Sequence, residues 1–437
     1  MKRMKLSKYI TKEFETPAGY WFGYYNYDTL NCEQSRMLSQ FVWKDAEAIK
    51  KGNKVDVGYF DSNGAFNKID ESDSYSWPQG SMLQWVPSPC MNNKIIFNLS
   101  KGDHLISRII NLDNNEQKDL DWSIYGLTPD GKKSIALDME RSYWCRAYHY
   151  ESVANHEKNG RIAEGDGIFE IDLESNTRKL LIPIETIINV DKEDYFDEAK
   201  HWLEHIMISP TGKRFCFLHR FSVGGLNDYE TRLFVADIDG RNLQIIDGWR
   251  EYYWSHFGWN TDDSFAIYAY ELKQRKVNLE GKSEKTEKKS FNLKDIVKGL
   301  IPKTVLRMLK RKLLRQRTYY QYYTLSEGAF KLKTIFNSPL FAIDGHPSFT
   351  ADGRYIITDT YPDEKQYQHL IVYDIETSKG IVVAKIYAAL HMKPGSCDLH
   401  PKLCKDNNIV VVDTAYDGKH HMIKFKLNWD LIKKEIS

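Results

Sequence analysis

The segment HPSFTADGRYIIT, residues 346–358, opens on a histidine and a short apolar run, reaches a Thr-Ala-Asp-Gly turn, and continues as a second run of aromatic and β-branched residues. The same order recurs in HIMISPTGKRFCF (205–217), HFGWNTDDSFAIY (256–268) and HPKLCKDNNIVVV (400–412). Asp, Asn, Gly and Ser at the turn suit a tight reversal, and the flanking runs have β propensity. A short-strand unit repeated every roughly 40–70 residues is the signature of a β-propeller blade.

Related segments precede these four. GYYNYDTLNCEQSRMLSQFVW with VDVGYFDSNG, MLQWVPSPCMNNKIIFNLS with SRIINLDNNEQ, and IYGLTPDGKKSIALDM with GIFEIDLESNTRKLLI supply three earlier units. Turns such as Asp172 to Ser175, Asp237 to Gly240 and Asp374 to Thr377 end the third strand of their units. The expected architecture is all-β, one seven-bladed propeller domain over residues 1–437, with four antiparallel strands per blade. A pair of β-sandwiches would not explain the period.

One stretch, 272–323, interrupts the fifth blade. A polar loop is followed by Ile296, Leu300, Val305, Met308, Leu309 and Leu313 at close to helical spacing. Residues 291–317 carry nine Lys and Arg, Lys294 and Arg317 among them, against the single acid Asp295. A basic amphipathic helix over 294–317 is expected, lying on an anionic membrane surface or packed on the propeller side with its basic face in water.

The net charge is +1, which argues against a nucleic-acid partner. No apolar stretch follows the basic start MKRMKLSKYITKEF, so no signal peptide is expected. The six cysteines are scattered without a CxxC, as reduced thiols of a cytoplasmic protein are. The expected location is therefore cytoplasmic, or peripheral at the inner membrane face if the helix binds lipid.

First strands of blades line the axis, so His205, His256, His346 and His400 are expected to converge at one mouth of the channel. Imidazole nitrogen is a common ligand of borderline divalent metals. Asp344 and Asp398 stand two residues before His346 and His400, on the same strand face, as further ligands or as carboxylates that fix the imidazole tautomer. Second strands return to the same end and close on polar residues: Asp138, Glu140 and Arg141; His219 and Arg220; Glu271; Asp359; Asp413 and Tyr416. Trp254 and Tyr143 are candidate sugar-stacking aromatics. The bland alternative is that such histidines only hydrogen-bond neighbouring turns.

The HPSFTADGRYI and HIMISPTGKRF runs and the seven-unit period resemble the oligogalacturonate lyase family, from about Gly19 to Trp429. The resemblance implies a divalent metal (Mn, Zn or Ca) at the propeller centre and β-elimination on a uronate-containing glycan. By position His256, His346 and His400 match three histidine ligands. His205 becomes a channel residue near substrate, and Arg220 matches the family's basic residue. His219, Tyr361 or Tyr416 would protonate the leaving oxygen. The family's glutamine ligand, three residues before a histidine, is missing: Trp202, Tyr253, Ile343 and Cys397 occupy those places. Two other functions fit the same fold, namely glycosyl transfer or hydrolysis in surface-polysaccharide synthesis, and a non-catalytic glycan-binding or scaffold propeller.

Overall fold

A computed structural model describes residues 3–43, 47–88, 93–145, 156–223, 229–272 and 317–437. The chain forms seven antiparallel sheets, each a blade of four strands, with a fifth strand on the sixth. The innermost strands begin at Tyr20, Gln84, Gly126, Lys200, Tyr252, Ser348 and Lys402. The basic segment 294–317 lies outside the described residues apart from Arg317. Chain leaves the fifth blade after the strand Ser264–Glu271 and returns at the strand Thr318–Ser326. Among the described residues no helix is long and apolar enough to cross a membrane.

The N-terminal residues do more than lead into the first unit. Ile10–Glu15 pairs antiparallel with His421–Leu427, so the start of the chain supplies the outer strand of blade 7. Met4–Leu6 adds to the edge of blade 6. The ring is thus closed by hydrogen bonds between the two ends of the chain.

Inside the ring, each blade buries both faces against its neighbours, and the middle strands read as nearly continuous apolar runs. Phe215, Phe217 and Leu218 of blade 4 and Val410, Val411 and Val412 of blade 7 are fully buried. Cys32, Cys145, Cys216 and Cys404 are unpaired thiols; Cys90 lies outside the described residues.

Polar residues in the second strands hold successive blades together. Gln40 Oε1 accepts from the Ser81 N–H at 3.0 Å, and Asn98 Oδ1 from the Ile124 N–H at 2.9 Å. Asp359 accepts from the His346 and His400 N–H groups, and Asp413 from those of Phe22 and Gly23. At these positions the first residues of an inner strand leave backbone donors that the sheet does not satisfy, and a buried side chain supplies the acceptor.

Candidate metal and substrate centre

The four repeat histidines do converge. The ring centroids lie 5.9 Å apart for His205 and His256, 4.1 Å for His256 and His346, and 4.2 Å for His346 and His400. Two different local devices bring them there. In blade 4 the pairing skips from Glu204 to Met207, and in blade 5 from Trp254 to Phe257. His205 and His256 therefore sit in β-bulges, which bend a strand and re-aim a side chain. His346 and His400 instead stand two residues before the short inner strands Ser348–Phe349 and Lys402–Leu403. His205 and His400 hold left-handed φ values of +56° and +43°, a conformation that costs energy for residues with a side chain.

Tyr24 and Tyr25 of blade 1 pack among the imidazoles. The Tyr25 ring lies 5.1 Å from that of His346 and 5.8 Å from that of His400, and Tyr24 stacks on His205 at 5.5 Å with its hydroxyl on Nδ1. Above them opens a cavity of about 590 Å³, walled by the four histidines, Arg220, Asp344, Asp398, Gln79, Trp77, Lys393 and the tyrosines 229, 253, 270 and 361.

His346, Asp398 and His400 form the tightest donor group: one ligand atom from each lies within 4.8 Å of the others. Nε2 of His346 is buried with no hydrogen-bond partner. His400 Nδ1 lies 2.8 Å from the Gly23 carbonyl oxygen, which can only accept. Nδ1 must therefore carry the proton, and neutral His400 keeps its lone pair on Nε2. Two imidazole nitrogens and a carboxylate oxygen suit a borderline divalent cation. The orphaned nitrogen fits such an ion, because a buried polar atom without a partner is costly.

His256 and Asp344 stand beside this group and pair with each other, Nδ1 to Oδ1, at 3.3 Å. Ser255 and Tyr270 also reach this pair, at 3.0 Å from His256 Nδ1 and 3.2 Å from Asp344 Oδ2 respectively. Asp344 does not share a target with His346 as the i, i+2 spacing suggested; it turns to the neighbouring blade. Burial opposes its charge, yet the adjoining His256 holds it below the usual carboxylate range. Burial raises Asp398 to about 7, with Asp359 adding to the effect. It drives His346 and His400 well below the ordinary imidazole value, so both are neutral, as ligands must be.

The opposite wall is cationic and acidic together. Arg220 Nη1 meets Glu204 Oε2 at 2.7 Å, and Trp202 Nε1–H donates to Glu204 Oε1 at 2.7 Å. The Arg220 guanidinium lies 4.6 Å from the Tyr229 ring centre. Burial works against its charge, and Glu204 overcomes that and holds it more firmly protonated than usual. His205 Nε2 is 3.4 Å from the same carboxylate, but burial dominates and lowers His205 to about 4.

Other second-strand ends serve the scaffold. His219 is sealed inside blade 4, with Nε2 3.0 Å from His201 Nδ1 and Nδ1 accepting from Arg232 Nε at 3.0 Å, so it does not line the cavity. Tyr416 donates to Glu15 Oε1 at 2.5 Å, stacks on His421 and is likewise absent from the cavity wall. Asp138 pairs with Lys158, Glu271 accepts from Tyr319, and Arg141 Nη2 donates to the His201 carbonyl. Trp254 is fully buried with its N–H on Gln321, which removes it as a sugar platform, and Tyr143 packs on Trp144. The cavity-wall aromatics are Trp77 and the tyrosines. Glu204, Tyr24, Gln79, Trp77 and Lys393 were not legible as site residues, because none occupies a repeat position.

No family model and no curated protein matches the chain. Solved structures do. An oligogalacturonate lyase in complex with manganese aligns over 98% of this chain and 97% of its own, with a TM-score of 0.59 at 12% identity. An oligogalacturonate lyase from Vibrio parahaemolyticus aligns over the same shares, with a TM-score of 0.59 at 11% identity. What the chain shares with them at that identity is the fold, a seven-bladed propeller of the oligogalacturonate lyase type.

Proposed function

We propose that this protein is a divalent-metal-dependent carbohydrate-active enzyme, a lyase that cleaves a uronate-containing oligosaccharide or polysaccharide by β-elimination. One observation carries the reading: a His346, Asp398 and His400 ligand set with an unpartnered imidazole nitrogen shares one cavity with a buried, charge-locked Arg220. The fold likeness to a manganese-bound lyase is consistent with it. Asp398 takes the place of the family's glutamine as the oxygen ligand, with His256 and Asp344 beside it.

A metal held by these residues supplies Lewis-acid stabilisation of the charge that develops on a uronate carboxylate when the proton on C5 leaves. Arg220 is too firmly protonated to be a base; it binds and orients acidic groups. His205 is neutral and in the cavity wall, so it is placed to accept the C5 proton once its Nδ1 is released from the Tyr24 hydroxyl. The C5–H electron pair becomes the C4=C5 double bond, and the C4–O bond breaks toward the leaving sugar. Tyr361, which burial keeps protonated well above neutral pH, lines the cavity and donates the proton that the leaving oxygen needs. Trp77 and Tyr253 offer faces for sugar rings at the wall.

The test is product chemistry. Protein loaded with Mn²⁺, Zn²⁺ or Ca²⁺ is incubated with a panel of acidic oligosaccharides, and ultraviolet absorbance of a 4,5-unsaturated product is followed. A rise that His346→Ala abolishes is expected. Metal-loaded protein that yields no unsaturated product from any uronate glycan refutes the lyase reading.

A further inference from the structure

Two blade junctions near the axis use the same latch and balance its charge differently. At the junction of blades 7 and 1, Asp413 accepts from the Phe22 N–H at 2.9 Å and from the Gly23 N–H at 3.0 Å. Its charge meets Lys402 Nζ at 2.5 Å, and both side chains are buried. At the junction of blades 6 and 7, Asp359 accepts from the His346 N–H at 2.7 Å through Oδ1 and from the His400 N–H at 3.1 Å through Oδ2. Among the described residues no Lys or Arg forms an ion pair with Asp359. Its partner is an imidazole: His346 Nδ1 lies 2.8 Å from Oδ1 and 3.1 Å from Oδ2.

The contact is built closely. A Cβ on Gly345 would lie 1.9 Å from the Asp359 carbonyl oxygen, so only glycine lets the chain entering His346 approach this strand end. A carboxylate on Nδ1 makes Nδ1 the donor and leaves the lone pair on Nε2. That is the buried nitrogen with no partner. His400 reaches the same tautomer by a different acceptor, the Gly23 carbonyl. One carboxylate thus fixes the ring of one candidate ligand and the backbones of two, across a blade boundary.

We propose that Asp359 is the positioning residue of the metal centre, setting the His346 tautomer and the spacing of His346 and His400, with the bound cation serving as the counter-charge that Lys402 provides to Asp413. The inference rests on the metal reading above and adds to it a residue outside the ligand set. In Asp359→Asn the amide can still accept one N–H, but an NH₂ facing Nδ1 favours the opposite tautomer and turns Nε2 from ligand to donor.

The experiment titrates Mn²⁺ into chelator-stripped full-length protein and follows the free-ion electron paramagnetic resonance signal. Wild type, Asp359→Asn and Asn98→Ala are compared. Asn98 performs the backbone latch between blades 2 and 3 and is absent from the cavity wall, so its loss reports a purely structural effect. Asp359→Asn is expected to weaken Mn²⁺ binding by about 10–100-fold, while Asn98→Ala lowers the melting temperature and leaves affinity unchanged. Wild-type affinity in Asp359→Asn overturns the positioning role and leaves the metal reading standing. No binding of Mn²⁺, Zn²⁺ or Ca²⁺ by wild type overturns the metal reading itself. If Asp359→Asn does not fold, the tautomers of metal-free wild type decide: imidazole ¹⁵N shifts should report Nδ1–H at His346 and His400, and Nε2–H at His346 overturns the proposal.

Discussion

Replacing Glu204 by glutamine tests whether the cavity is built to receive negative charge. Glu204 and Arg220 are 5% and 3% exposed and touch at 2.7 Å. The amide of Glu204→Gln keeps the shape and can still accept from Trp202, but Arg220 is left as a buried cation without its counter-charge. Breaking a buried pair in this way costs about 3–5 kcal/mol. Unfolding entropy of about 2.1 cal/mol/K per residue, over 437 residues, makes that roughly 3–5 °C in melting temperature. An acidic sugar in the cavity should restore part of the loss, because the ligand then supplies the missing charge. Scanning calorimetry of wild type and Glu204→Gln, with galacturonate, glucuronate or neutral galactose at equal concentration, reads both effects. The expected result is a lower melting temperature and a larger stabilisation by the uronates than in wild type, with galactose inert. Equal melting temperatures, or no difference between uronate and neutral sugar, would refute the role assigned to the pair.

Lys402→Met should cost a similar 3–5 kcal/mol, because it strips Asp413 of its buried ammonium, and the double change with Asp413→Asn should recover most of it; denaturant unfolding checks the cycle. Gly345→Ala should weaken Mn²⁺ binding at least tenfold in a competition titration, since its methyl group collides with the Asp359 carbonyl. Asp166 is buried in blade 3, and burial with the nearby Asp138 raises its carboxyl to about 7. Its folded value is raised, so the folded state holds the proton longer than the unfolded chain and stability falls as pH climbs from about 4 to about 7. Asp166→Asn should flatten that fall between about pH 4 and about pH 7 in urea titrations, and parallel curves for the two proteins would exclude the group as its source.

The ring and its axis were legible because the repeat carries them. A histidine followed by an apolar run and an Asp-Gly type turn is local information, and His205, His256, His346 and His400 arrive together as that pattern requires. The strand that closes blade 7 was not legible: Ile10–Glu15 pairs with residues more than 400 positions away, and no local pattern marks such a pairing. Side-chain direction was legible only in part. His219 and Arg220 are consecutive on one strand, so they must face opposite sides of blade 4. Only Arg220 reaches the cavity, and choosing between them needed the register. Asp344 and Asp398 look equivalent in sequence, two residues before a histidine, yet Asp398 joins the ligand group and Asp344 pairs with His256 in the neighbouring blade.

The latches give that difference a physical reason. Four blade boundaries leave backbone donors near the axis that a buried acceptor meets. Where the acceptor is an amide, as at Gln40 and Asn98, the junction is neutral and complete. A carboxylate there brings a charge that must be answered in turn. Lys402 answers Asp413. Asp359 lies instead against the uncharged His346 imidazole, which it holds at Nδ1 and whose Nε2 has no partner. The same group that latches blade 6 to blade 7 therefore leaves a deficit of positive charge on the axis. On the proposed reading, a divalent cation would fill that deficit without any lysine. On that same reading the blade 6–7 latch and the metal site draw on one side chain, and removing the cation should loosen the blade 6–7 junction before any other.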